Sequence, residues 1–126
     1  FMKKTIMSIL AAVGLCVGGC SAQNDSVKVL DPKTFIKQAQ ADSTAIILDV
    51  RTPDEYAEGH IEGAMLLNFL DDKAFNKGLK KLDKKHTYYI YCRSGRRSHG
   101  ACEKMNKKGF KTFDMEGGYL KWKKEV

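Results

Sequence analysis

The sequence predicts an α/β domain of three layers, in which helices flank a central, mostly parallel, five-stranded sheet. Strand-like and helix-like patterns alternate about five times along the chain. No two-residue hairpin signal joins neighbouring strand-like runs, and the run at residues 44–50 is almost continuously aliphatic. These observations favour parallel strands joined by helical crossovers, with functional groups at the carboxyl ends of the strands.

Five runs of apolar and β-branched residues have the length of strands. They lie at residues 27–30, 44–50, 64–69, 87–92 and 111–115. We expect the runs at 44–50 and 64–69 to be buried strands.

Helical segments separate and follow these strands. They begin at Asp31 and continue at residues 52–58, 71–83, 98–108 and 119–124. Asp31 is suited to cap the first helix, and Pro32 fits its first position. Gly59 is predicted to end the second helix, and Gly109 the fourth.

The amino-terminal segment has the layout of a secretory signal. Lys3 and Lys4 precede an apolar stretch at residues 6–17, which is too short to span a bilayer. The residues Val17-Gly18-Gly19-Cys20 then resemble the lipobox of bacterial lipoproteins, whose cysteine receives the lipid. An ordinary signal peptide with an incidental cysteine, or an uncleaved buried helix, are the alternatives.

The chain is therefore expected to have three parts. Residues 1–19 are a signal peptide, residues 20–26 are a lipidated tether, and residues 27–126 are the domain. The tether consists mainly of small and polar residues, as a flexible connection to a membrane requires. We expect the mature domain to sit in the bacterial cell envelope on its lipid anchor at Cys20, facing the periplasm or the exterior.

A moderate positive charge limits the classes of partner. The formal net charge is +7 for the full chain and +5 once Lys3 and Lys4 are removed with the signal. Most lysines of the third helix alternate with apolar residues, as on the solvated face of an amphipathic helix. No basic stripe is interleaved with aromatic residues, so we expect no nucleic acid as a partner. An anionic substrate and a membrane surface remain.

Cys92 stands where a predicted strand ends and a helix begins. Unpaired N–H groups at a helix start, together with nearby guanidinium groups, favour a thiolate and also bind oxyanions. This pattern predicts a nucleophilic sulfur that takes a group covalently from an anionic donor. The alternative is a buried structural cysteine beside surface arginines. The candidate anion-binding loop comprises Arg93, Ser94, Gly95, Arg96, Arg97 and Ser98.

Cys102 is predicted to pack in the core. It lies inside the helix after the loop, on one face with Ser98, Ala101 and Met105. About two helical turns, roughly 12 Å along the axis, separate it from the loop, whereas a disulfide needs Cα atoms within about 7 Å. A disulfide between Cys92 and Cys102 is therefore not expected.

Three segments in this order resemble the single-domain rhodanese-like sulfurtransferases, across residues 27–125. The first runs from Ile47 to Asn68 and includes Asp49-Val50-Arg51 and Gly59-His60-Ile61. The second is the Cys92 loop. The third is Met115-Glu116-Gly117-Gly118 followed by Trp122. Each segment alone is weak evidence for this resemblance, but the three segments in this order and spacing are specific to the family.

The first segment is expected to support the site. Asp49 and Arg51 lie at a strand end, and Glu55 follows four residues later, so carboxylates are available to hold the Arg51 guanidinium. The resemblance implies that Asp49, Arg51 and Glu55 are chiefly scaffold, with contact between Arg51 and substrate as the alternative. It also implies that His60 caps and packs a turn rather than acting as a general base.

The length of the loop distinguishes two kinds of chemistry on this fold. Cysteine phosphatases and arsenate reductases resemble rhodanese domains in fold, but a phosphatase loop has arginine six positions after cysteine. Here that position is Ser98, and Arg97 comes one residue earlier. The shorter loop resembles the sulfurtransferase class, so phosphatase or arsenate reductase activity is the less favoured alternative.

The resemblance implies sulfur transfer through a Cys92 persulfide. The donor is thiosulfate or another small anionic sulfur compound, and the acceptor is cyanide or a thiol. No cofactor is implied, and no histidine and cysteine set has the spacing of a metal site. We expect a monomer, and we expect Arg97 to matter most for anionic donors because it closes the loop. A catalytically idle binding or sulfur-carrier module and a redox protein using a Cys92 disulfide are the alternatives.

Overall fold

The computed structural model describes residues 26–125. The expected signal peptide at 1–19, Cys20 and nearly all of the expected tether lie outside the described residues. The strands are β1 (Val29–Leu30), β2 (Ala45–Asp49), β3 (Met65–Leu66), β4 (Thr87–Tyr91) and β5 (Lys111–Met115). The helices are α1 (Pro32–Ala41), α2 (Pro53–Glu58), α3 (Asp72–Leu79), α4 (Arg96–Lys107) and α5 (Gly118–Glu125).

The five strands form one sheet in the order β1-β5-β4-β2-β3, and every pairing is parallel. Strand β4 is central, with Ile90 opposite Leu48 of β2 and opposite Asp114 of β5. Because all strands run the same way, their carboxyl ends meet at one edge of the sheet. Cys92 follows β4 directly at this edge.

Helices cover both faces of the sheet, which confirms the three-layer α/β prediction. Successive residues of β4 alternate between two cores. Tyr88 and Ile90 pack with Phe75 of α3 and Met105 of α4 on one face. Tyr89 and Tyr91 pack on the other face, with Phe35 of α1 and partly buried aromatic residues of α5. This double burial explains the uninterrupted apolar character of the strand.

The predicted starts of the first helix, after Asp31, and of the second helix, at residues 52–58, are confirmed. The Asp31 side chain accepts a hydrogen bond from the Thr34 N–H, and Pro32 opens α1. At α2, Thr52 and Glu55 form a reciprocal capping box. Gly59 caps the end of α2.

The buried strand predicted at 64–69 is wrong in length and burial. Only Met65–Leu66 form β3, and Met65 is 47% exposed. Among residues 26–125, the strand lies at the edge of the sheet and pairs only with β2, so one of its sides has no strand neighbour there. The composition of the run could not reveal this edge position.

Two predicted helix limits are also wrong. The helix expected to reach residue 83 ends at Leu79, after which Lys81 and Leu82 make short turn hydrogen bonds to Gly78 and Leu79. The helix expected to begin at Ser98 begins at Arg96. Gly95 provides its amino-terminal cap in the left-handed conformation, at φ 109°. The second difference moves Arg96 and Arg97 from the loop into the first turn of α4.

Across residues 26–125, no helix has both the length and the apolar character needed to cross a bilayer.

Candidate functional site

Cys92 lies at the base of a tight loop between β4 and α4. Its side chain is 1% exposed, and its Sγ accepts a hydrogen bond from the Gly95 N–H at 3.0 Å. That donor and the amino-terminal end of α4 both favour negative charge on the sulfur. The left-handed φ of Gly95 is suited to glycine, and it turns the chain into α4.

The start of α5 holds the carbonyl side of the same loop. The Tyr119 N–H donates to the Cys92 carbonyl at 2.8 Å, and the Leu120 N–H donates to the Arg93 carbonyl at 3.1 Å. Gly118 permits this contact, because a Cβ at Gly118 would lie 2.5 Å from the Arg93 oxygen and 2.6 Å from the Cys92 oxygen. The double glycine noted in the sequence therefore has a direct steric role beside the cysteine.

Arg97 is paired with Glu55 rather than free in the loop. Its two terminal nitrogens donate to the two Glu55 carboxylate oxygens at 2.8 and 3.1 Å. The Arg97 hydrogen bond lowers the pKa of Glu55 to about 2. The expectation that Glu55 helps to hold Arg51 is wrong, because Arg97 reaches it across the loop. The positive charge of Arg97 is thus compensated by a fixed carboxylate.

Arg51 is held by Asp49 beneath the site. Its Nε donates to both Asp49 carboxylate oxygens, and an Nη donates to the Gly59 carbonyl at 2.7 Å. The guanidinium is 4.3 Å from the centre of the Tyr119 ring, and the Tyr91 hydroxyl donates to Asp49. Burial raises the pKa of Tyr91, so its hydroxyl keeps this proton. The Asp49–Arg51 pair therefore links β2, β4 and α5 below the loop.

Arg93 and Arg96 are the exposed cations of the loop. Within residues 26–125, neither forms an ion pair. Ser94 is also exposed, whereas Ser98 is buried and its hydroxyl donates to Asp114. The expectation that Arg97 dominates anion attraction is not supported by this pairing, since the charges without a partner belong to Arg93 and Arg96.

His60 lies on the surface after α2. Its ring stacks on Tyr56 with centres 3.7 Å apart, and its Nδ1 is 2.9 Å from the Tyr56 carbonyl oxygen. These contacts are those of a residue that packs against and caps a helix end.

A cavity of about 240 Å³ opens beside the loop. Its wall combines the cations of Arg51, Arg93 and Lys123 with the aromatic ring of Tyr119. Glu55 and Glu58 contribute carboxylates to the same wall. The arrangement is a small cavity of mixed charge that borders the loop at Arg93.

Cys102 lies in the core, as predicted. It is fully buried in the cluster that contains Leu48 and Met105, and burial raises the pKa of its thiol. Cys92 and Cys102 are both free thiols.

Asp114 is a buried residue of the site that sequence reasoning missed. It is 3% exposed in β5, and burial raises its pKa to about 6. The available signal was a carboxylate within the predicted strand at 111–115, directly before the Met115-Glu116-Gly117-Gly118 segment.

The chain belongs to the rhodanese-like family. The family model described as a rhodanese-like domain matches residues 31–125, which include the Cys92 loop, both glycines and the Asp49–Arg51 pair. The described fold and this match together confirm the family resemblance of the sequence.

Relatives of known name support the same assignment. "Putative sulfurtransferase YtwF" of Bacillus subtilis is 33% identical over 100 residues, covering 79% of this chain and 94% of that protein. "Putative sulfur carrier protein YrkF" of Bacillus subtilis is 34% identical over 107 residues, covering 83% of this chain and 56% of that longer protein. A solved rhodanese-like domain protein from Staphylococcus aureus superposes with a TM-score of 0.68 at 28% identity, covering 76% of this chain and 91% of that one.

The Glu55–Arg97 pair predicts a specific pH dependence of stability. The pKa of Glu55 is lowered on folding, so its contribution is present above pH 4.5 and is lost as the pH falls towards 2. We expect Glu55→Gln to lower the free energy of unfolding at pH 7 by about 1–2 kcal/mol, an amount reduced by the partial exposure of the pair. Urea unfolding at pH 7, 5 and 3 should show the difference from wild type shrinking below pH 4.5.

Glu58→Gln is the matched control for this prediction. Glu58 is exposed on the same helix and has no ion pair among residues 26–125. Its replacement should change stability little at any of these pH values. A Glu55→Gln cost that is equally large at pH 3 and pH 7 would contradict the assigned ionic contribution.

Proposed function

We propose that the protein is a sulfurtransferase that carries sulfane sulfur as a persulfide on Cys92. The observation that supports this most directly is the Gly95 N–H donating to Sγ at the amino-terminal end of α4. The exposed charges of Arg93 and Arg96 beside it favour an anionic donor. The names of the relatives support sulfur chemistry at the level of the family.

Two displacement steps account for the transfer. The Cys92 thiolate attacks the outer sulfur of thiosulfate, so a new S–S bond forms as the bond to the sulfonate sulfur breaks. Sulfite leaves with the electron pair of the broken bond. A cyanide or thiolate acceptor then attacks the terminal sulfur of the persulfide, and the Cys92 thiolate leaves. Electrons balance without an external oxidant or reductant, and neither step requires a metal or an organic cofactor.

The loop stabilises the charged sulfur in both steps. The Gly95 N–H already points at Sγ, so no reorganisation is needed when negative charge develops there. Tyr119 and Leu120 fix the opposite side of the loop through its carbonyls. Because Cys92 is 1% exposed, small sulfur compounds are favoured over bulky ones as direct reactants.

Replacement of Cys92 tests the nucleophile. Cys92→Ala should eliminate sulfur uptake from thiosulfate, measured as the gain of one sulfur atom in intact mass and as thiocyanate formed from cyanide. Cys102→Ser is the matched control and should keep most of the activity, although the buried hydroxyl costs about 1–3 kcal/mol of stability. Equal loss in both folded variants would instead indicate a redox mechanism that uses two cysteines.

The exposed arginines should act on the charge of the donor. Arg96→Ala should slow reaction with thiosulfate several-fold at low salt, but slow a neutral persulfide donor much less. Added salt should reduce the difference because it screens exposed charges. Arg97→Ala is the comparison, and we expect its main effect to be lower stability through the loss of the Glu55 partner. Equal loss of rate for anionic and neutral donors in folded Arg96→Ala would disprove this role.

A sulfur-carrier module is the second candidate. Its support is the relative named as a putative sulfur carrier, which this chain matches over 56% of that protein's length. Repeated thiocyanate formation per protein molecule supports the enzyme, whereas a single stoichiometric loading that only a partner protein can discharge supports the carrier.

We further propose that Cys20 carries a lipid that holds the domain in the bacterial cell envelope. The support is the order of Lys3 and Lys4, a short apolar stretch and the lipobox-like residues before Cys20. Fractionation of cells should find the wild type with membranes and Cys20→Ala in a soluble or uncleaved form. Unchanged, mature-sized protein in the membrane fraction of Cys20→Ala would exclude the lipid anchor.

A further inference from the structure

Asp114 is a buried carboxyl group behind the Cys92 loop that the proposed sulfur chemistry does not use. It lies in β5, whose neighbours at this point are Val29 of β1 and Ile90 of β4. The Asp114 Oδ1 is 2.5 Å from the Ser98 hydroxyl, in the first turn of α4. A carboxylate in this position contacts the element that begins at the loop, rather than solvent.

The Ser98 hydroxyl has two acceptors within reach and only one hydrogen. One acceptor is Asp114 Oδ1, and the other is the Gly95 carbonyl oxygen at 3.2 Å. A hydroxyl can donate its hydrogen fully to only one of them. An ionised Asp114 can only accept, so it competes with Gly95 for that hydrogen. A protonated Asp114 can instead donate to the Ser98 oxygen and leave the Ser98 hydrogen for Gly95.

We propose that Asp114 is a positioning residue for the Cys92 loop, acting through Ser98 on Gly95. When Asp114 takes a proton from solvent, its O–H donates to Ser98 Oγ, and the Ser98 hydrogen turns to the Gly95 carbonyl. When Asp114 releases the proton, the Ser98 hydrogen returns to the carboxylate. Any effect of this exchange on function rests on the proposed role of Cys92 as nucleophile. The exchange of hydrogen bonds itself does not require sulfur transfer.

Gly95 connects this exchange of hydrogen bonds to the Cys92 sulfur. Its N–H donates to Cys92 Sγ, and its carbonyl accepts both from Ser98 and from the His99 N–H at 3.2 Å. The residue is in the left-handed conformation, at φ 109°. The carbonyl and the N–H of Gly95 belong to neighbouring peptide units joined at its Cα, so a second donor on the carbonyl restrains the Gly95 torsion angles on which the direction of the N–H depends.

The charges around Asp114 determine the pH at which this exchange of hydrogen bonds occurs. Burial raises the pKa of Asp114 to about 6, while the Ser98 hydrogen bond and the nearby His99 act in the opposite direction. His99 Nδ1 lies 3.8 Å from Asp114 Oδ2, and its other ring nitrogen faces Glu103. Cys102 is also close enough for the Asp114 charge to raise its pKa. The exchange is thus expected near pH 6.

The direct test is a pH titration of the wild-type domain by nuclear magnetic resonance. The Asp114 side-chain carbon and the Gly95 backbone amide should shift with one common midpoint near pH 6. In Ser98→Ala, Asp114 should still titrate but the Gly95 amide should no longer follow it. A Gly95 response that is unchanged in Ser98→Ala, or an Asp114 that does not titrate between pH 5 and 7, would overturn the proposal.

His99→Gln controls for the neighbouring imidazole, which lies 3.8 Å from Asp114 Oδ2. The common response of Asp114 and Gly95 should persist in this variant, and its midpoint should move upward because a nearby positive charge is removed. Loss of the Gly95 response in His99→Gln would assign the effect to the imidazole and reject Asp114 as its source.

Alkylation of Cys92 by neutral iodoacetamide provides the functional readout. Asp114→Asn resembles the protonated form, since its amide can donate to Ser98 Oγ and leave the Ser98 hydrogen for the Gly95 carbonyl. We expect Asp114→Asn to react roughly three-fold or more faster than wild type at pH 7.5, with the ratio approaching one near pH 5. A ratio of alkylation rates that does not change with pH would show that Asp114 has only a structural role. Because alkylation needs no sulfur donor, this failure is distinct from absence of sulfurtransferase activity.

Discussion

The pinning of the Cys92 loop by the first residues of α5 is the constraint on which the rest of the site depends. Two backbone amides of α5 bond to the carbonyls of Cys92 and Arg93, and Gly118 makes the approach sterically possible. With its carbonyls fixed on one side, the loop presents its Gly95 N–H to the sulfur on the other. A parallel sheet supplies the geometry, because β4 and β5 end at the same edge.

Charge compensation then determines which cations remain available. Asp49 holds Arg51 below the loop, and Glu55 holds Arg97 beside it. Both carboxylates come from the segment that spans β2 and α2, which explains why that segment accompanies the cysteine loop in the sequence. The paired arginines stiffen the scaffold, whereas Arg93 and Arg96 leave their charge facing solvent. Within the loop the sequence does not separate the two roles, because Arg93, Arg96 and Arg97 all follow Cys92 closely.

Patterns that depend on neighbours along the chain were predictable. Alternating apolar runs indicated the sheet, the cap at Asp31 located the start of α1, and the helical spacing placed Cys102 in the core. Features that depend on partners distant in sequence were not. Arg97 spans 42 residues to reach Glu55, and β3 is an edge strand because of sheet order rather than composition. Asp114 could not be predicted as part of the site, because its partner is Ser98 on a different element.

The burial of Cys102 bears on how long sulfur would stay on Cys92 in the persulfide that we propose. A second thiolate of the same molecule can attack an S–S bond, as in thiol–disulfide exchange. Cys102 is the other free thiol among residues 26–125, and its fully buried, protonated state makes it a poor attacking group. In the proposed mechanism, a sulfur atom on Cys92 would therefore not be removed by Cys102. How long it stays on the protein would then depend on how often an external acceptor reaches the loop.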